Sequence, residues 1–153
     1  MPVLIQELLA PTCIDLSVQG KTDTEVITNV SSLLQGKRGV RNFESLRKDI
    51  LTRERLSPTA IGSGLAIPHA RTDHVDHIVM SVGRLDQPVI FDSQETWLVF
   101  VIGIPRSLPG KFLSLIGAFG RLAHDQIILE ALKAAATPKE FIAAFAKKTA
   151  PRA

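Results

Sequence analysis

Tyrosine is absent from this chain, and tryptophan, cysteine and long apolar runs are scarce. The lone Cys13 excludes an internal disulfide framework and fits a reducing compartment. Its place in an alternating apolar stretch marks a buried, inert thiol. The longest apolar run, Trp97 to Pro105, falls far short of the ~20 residues that a bilayer-spanning helix needs. No basic segment followed by an apolar one opens the chain, so no secretory leader is expected. These absences predict a cytoplasmic protein without membrane insertion. Also missing is a tract of one charge: 18 Lys and Arg face 15 Asp and Glu, and the basic residues are scattered. Without a basic stripe interleaved with exposed aromatics, nucleic acid is not an expected partner.

What is present supports one domain over residues 1–153, with 45% hydrophobic residues to build its core. Leu4 to Leu9 can form a short leading helix. Ile14, Leu16 and Val18 alternate with Asp15 and Ser17 in a strand pattern. Thr22 and Glu25 have the spacing of a capping box, ahead of Val26, Ile27, Val30, Leu33 and Leu34 on one helical face. Gly36 and Gly39 end that helix, and Asn42 can cap a second that runs to Arg53-Glu54. Strand candidates follow at Leu65 to His69, Ile78 to Leu85 and Pro88 to Phe91. Trp97 to Ile104 is apolar on both faces, as in a central strand covered on both sides. Helices resume at Phe112 to Ala123 and Gln126 to Ala135, and a last one opens at Thr137-Pro138. This order predicts an α/β fold: a mixed central sheet of about four to five strands with helices on both faces, a three-layer α/β/α sandwich.

Two segments imitate sites. Gly20-Lys21-Thr22 ends like a phosphate-binding P-loop, but Asp15 stands where the motif requires glycine. Asp73-His74-Val75-Asp76-His77 has two histidines three apart and no nearby third ligand, so neither metal nor cofactor is expected. His69 is different. It follows an apolar strand with Pro68 before it, and Gly62-Ser63-Gly64 can form a turn whose N–H groups meet an anion. Arg53 and Arg71 add positive charge in the flanking segments. From the residues alone, His69 reads either as a functional imidazole or as a satisfied structural one.

Taken together, Arg53-Glu54, Pro58-Thr59-Ala60-Ile61-Gly62 and Gly64-Leu65-Ala66-Ile67-Pro68-His69-Ala70-Arg71 resemble the active-site signature of enzyme IIA of the bacterial sugar phosphotransferase system. The likeness is to the fructose/mannitol type, which includes nitrogen-regulatory relatives. It extends to Gln87 to Asp92, Trp97 to Pro105 and Gly120 to Ala123, covering roughly residues 3 to 148. The resemblance implies that His69 attacks through Nε2 to accept a phosphoryl group from HPr or a nitrogen-branch relative. The group then passes to a IIB domain or serves as a regulatory mark on interactions with other proteins. Arg53 matches the phosphate-site arginine. Thr59 is expected to support the turn or the ring, and it is grouped with Gly62, Ser63 and Gly64 around the phosphate oxygens. In one departure, Lys111 stands where the family carries a second histidine. Lysine offers a point charge but no neutral imidazole. Acceptance on His69 is implied, and the ease of onward transfer stays open.

Overall fold

Two long strands organise the molecule because each carries apolar side chains toward both faces. The structure, a computed structural model, describes residues 4–147. A 3₁₀ turn at Ile5–Leu8 and another at Pro11–Cys13 lead into β1 (Ile14–Val18). Helices α1 (Asp23–Ser31) and α2 (Phe43–Leu56) follow. Next come β2 (Ala60–Gly62), β3 (Leu65–Ala66), β4 (His69–Thr72), β5 (Val79–Phe91) and β6 (Gln94–Pro105). Helices α3 (Pro109–Leu122), α4 (Gln126–Ala134) and α5 (Pro138–Ala144) complete the described chain.

The sheet order is β1-β5-β6-β3-β2, with β4 also paired to β6. β5 and β6 form an antiparallel hairpin, whereas β1 on β5 and β3 and β4 on β6 are parallel. Leu98, Phe100, Ile102 and Ile104 of β6 pack under α3, α4 and α5. Val99 and Val101 point the other way, to Val26, Ile27 and Val30 of α1 and Leu46 and Ile50 of α2. Burial on both faces accounts for a strand with no polar side after Trp97.

The expected three layers are present, but the sheet has six strands. Pro68 has no N–H to give a ladder, so the expected Leu65 to His69 strand divides into β3 and β4. Ala60–Gly62 adds a short antiparallel strand, and the expected Ile78 to Leu85 and Pro88 to Phe91 segments fuse into β5. The caps form as read. Thr22, Asn42 and Thr137 each accept an N–H three residues on, at 3.0–3.1 Å. Cys13 is buried. Among the described residues, no single helix is long and apolar enough to cross a membrane.

Phe100 is fully buried at the sheet centre, its ring edge-on to Phe119 at 4.9 Å. Phe100→Ala is expected to cost about 3–5 kcal/mol through lost burial and a residual cavity. A urea denaturation midpoint unchanged from wild type would contradict this account of the core.

Candidate functional site

Ile67 and Pro68 interrupt the edge of the sheet, and His69 resumes it. Its partner on β6 is Ile102. The 5% exposed imidazole therefore stands on the α3 side, while the next residue, Ala70, packs toward α2. His69 Nδ1 lies 2.7 Å from the Ile67 carbonyl oxygen. A carbonyl oxygen only accepts, so Nδ1 carries the hydrogen and Nε2 keeps its lone pair. Burial pushes the His69 pKa below its ordinary value, and the Arg53 charge adds to this; the bond to Ile67 opposes them. Neutral imidazole is thus the form the site favours.

Hydrogen bonds tie this geometry to α2. The Thr59 carbonyl accepts from Ile67 N–H at 3.1 Å. Thr59 N–H and hydroxyl both donate to the buried Glu54 carboxylate at 2.8 Å. Burial raises the Glu54 pKa, and the Thr59 bonds work against that rise. The neighbouring Arg53 turns the other way along the last turn of α2 and donates to the Ser57 carbonyl at 2.6 Å. A cation there also meets the negative end of the helix.

An open cavity of about 310 Å³ lies over His69. Asp49, Thr52, Arg53 and Leu56 of α2 form one wall, and Arg71, Arg106 and Phe112 the other. The Phe112 ring sits 5.6 Å from the imidazole, and the Arg71 guanidinium carbon 5.4 Å from the Phe112 centroid. Arg71 also donates to the Arg106 carbonyl at 3.3 Å. The result is an imidazole whose neutral form is favoured, in a cavity lined by three arginines, an arrangement suited to an anionic group with several oxygens.

His69 and Arg53 come together as expected, but the glycine turn does not join them. Gly62, Ser63 and Gly64 all have positive φ, and they lie at the far end of β3. Leu65 pairs with Leu98 and His69 with Ile102, so four residues of extended chain, about 13 Å, separate them. The turn serves packing: Ser63 Oγ donates to the Ala123 carbonyl at 2.6 Å, and Trp97 Nε1 donates to the Ser63 carbonyl. A Cβ on Gly64 would strike the Trp97 indole. The expectation that Gly62, Ser63 and Gly64 hold phosphate at His69 is therefore corrected. Thr59 is likewise turned to Glu54, so it supports the ring's backing and does not line the cavity. Lys111 is exposed on the first turn of α3 outside the lining, and its neighbour Phe112 faces the imidazole. Sequence reasoning missed Arg106; its place just past the end of β6, beside β4, is the signal that finds it.

The family model for the phosphoenolpyruvate-dependent sugar phosphotransferase system, EIIA 2, matches residues 7–148. The chain belongs to this family. As an EIIA chain it is a component of a phosphotransferase system. A nitrogen regulatory protein of Bradyrhizobium diazoefficiens is 29% identical over 133 residues, covering 85% of this EIIA and 86% of that protein. The crystal structure of nitrogen regulatory protein IIA-Ntr from Neisseria meningitidis superposes with a TM-score of 0.84 at 24% identity, covering 94% of this chain and 99% of that one. Enzyme IIAMTL of Escherichia coli, in its complex with phosphorylated enzyme IIBMTL, gives 0.77 at 21% identity, covering 90% and 96%. At these identities the two structures establish the fold.

Two predictions follow from the ring and its backing. Thr59→Val removes the hydroxyl that bridges both Glu54 oxygens, and a loss of about 1–3 kcal/mol is expected on urea unfolding. No loss would mean that the buried carboxylate does not depend on Thr59. The His69 pKa is lowered on folding, so its contribution to stability is full above the ordinary value of about 6.5 and declines as pH falls through the lowered one. Urea midpoints of wild type and His69→Gln should therefore converge or cross in favour of the variant below about pH 6.5. A pH-independent difference would contradict a depressed pKa.

Proposed function

We propose that His69 Nε2 accepts a phosphoryl group from a histidine phosphocarrier of the HPr kind. The observation that carries this reading is the Nδ1–H bond to the Ile67 carbonyl, which leaves the Nε2 lone pair beneath the arginine-lined cavity. The donor's P–N bond breaks as the new Nε2–P bond forms. The Nδ1 proton stays on the ring, bonded to Ile67, so the phosphorylated ring is cationic and remains a competent leaving group. Phosphoryl transfer asks chiefly for positioning and neutralisation of oxygen charge. Arg53 faces the transferred oxygens, Arg71 and Arg106 close the opposite wall, and Lys111 adds a point charge at the mouth. From His69 the group moves to a nucleophile on a IIB domain, the partner type in the mannitol complex.

A second reading, a phosphorylation-dependent regulator, is favoured by two observations. The Bradyrhizobium relative of similar length is named a nitrogen regulatory protein. Lys111 replaces the second histidine that the resemblance calls for, and an ammonium offers a point charge to hold a phosphoryl group without imidazole's acceptor nitrogen to relay a proton. In this reading the added negative charge on His69 alters which proteins bind the pocket face.

Incubation with enzyme I, HPr and labelled phosphoenolpyruvate should place acid-labile phosphate on wild type and none on His69→Ala. Equal labelling of both would overturn the proposal. Arg53→Ala should slow acceptance by about 100-fold, the usual scale for losing one donor to developing oxygen charge. Lys111→His separates the two readings. Faster transfer to IIB, by tenfold or more on the scale of a gained general acid–base group, identifies lysine as the brake. An unchanged rate shows that lysine does not limit transfer.

A further inference from the structure

Charge is unevenly distributed around the His69 cavity. Arg53, Arg71 and Arg106 line it. Lys48 and Arg55 share the adjoining stripe of α2 with Thr52, which also lines it, and Lys111 stands on the first turn of α3. Among the described residues, the carboxylates of Asp49 and Asp73 lie against them. Asp49 accepts from the Thr72 hydroxyl at 2.8 Å and lies 3.9 Å from His74. Asp73 sits 3.7 Å from Arg106. Glu54, next in sequence to Arg53, is buried on Thr59 and turned away. Six cations against these two carboxylates and the buried Glu54 leave the face positive.

Exposed apolar side chains adjoin the same cavity lining. Leu56, 80% exposed, lines the cavity, and Leu113, 69% exposed, follows Phe112 on α3. They are the two most exposed large apolar side chains among the described residues. Exposed apolar groups ringed by charge of one sign mark a surface that another macromolecule covers.

We propose that this face docks an acidic protein surface, with Leu56 and Leu113 as apolar anchors and the cations as its steering field. The inference rests on the phosphoryl-acceptor reading of His69 and adds the charge of the partner. Two features select a protein of opposite sign over other occupants. A second copy would bring the same cationic face and repel. A flat lipid surface cannot deliver phosphorus to an imidazole that is 5% exposed at the cavity floor, whereas a convex protein carrying phosphohistidine can.

The test uses one HPr-type phosphocarrier in two versions, phosphorylated on its histidine. The residues ringing that histidine are made acidic in one version and basic in the other. The second-order rate of transfer to His69 should be at least about tenfold higher from the acidic version. It should fall by about tenfold or more between about 0.05 and 0.5 M salt. The double variant Lys48→Glu, Arg55→Glu should lose most of that preference. Phosphoramidate, a small donor that needs no docking, supplies the control and should label wild type and the double variant equally. Absence of phosphoramidate labelling on wild type relative to His69→Ala would sink the acceptor reading itself. Normal phosphoramidate labelling with equal rates from both carriers, or a rate insensitive to salt, would overturn the docking proposal alone. So would saturable binding of wild type to phosphatidylserine vesicles that blocks transfer from the acidic carrier.

Discussion

The hydrogen bond from His69 Nδ1–H to the Ile67 carbonyl is the constraint on which the site depends. It chooses the tautomer, fixes the ring and assigns the free lone pair to Nε2. That carbonyl is presented to the ring because Pro68 breaks the edge strand between β3 and β4. Ile67 is in turn held by Thr59, and Thr59 by the buried Glu54. A surface imidazole on a regular strand would lack this backing and would exchange tautomers freely. The sheet, with β6 at its centre, supplies the rigidity that makes one bond decisive.

Burial and charge then act in the same direction before reaction. Desolvation and Arg53 both disfavour imidazolium, which favours the neutral ring. In the proposed transfer, the same arginines attract the arriving oxygens. Two unit charges about 4 Å apart interact by about 1 kcal/mol in bulk water and about 4 kcal/mol at the effective dielectric of a protein surface. The Phe112 ring has His69 near one side and Arg71 near another.

Much of the fold was legible because its signals are local. The Thr22, Asn42 and Thr137 caps, the alternation in β1 and the two-sided apolar run of β6 are all carried by neighbouring residues. His69 and Arg53 were legible for another reason, their resemblance to a known signature. The glycine turn misled because closeness in sequence is not closeness in space when the intervening chain is extended. Arg106 escaped notice because parallel pairing of β4 with β6 brings it to His69 from more than thirty residues away. Phe112 meets the ring and Lys111 does not, because adjacent helical positions point about 100° apart.

The central claim is that His69 is held as the Nδ1–H tautomer and is modified on Nε2. Long-range nitrogen–proton NMR on protein labelled with ¹⁵N in histidine reads both, before and after phosphorylation. The account predicts a protonated Nδ1 and a lone-pair Nε2 in the free protein at neutral pH, then phosphorus coupling to Nε2. A free protein with its proton on Nε2, or phosphorus coupled to Nδ1, would contradict it.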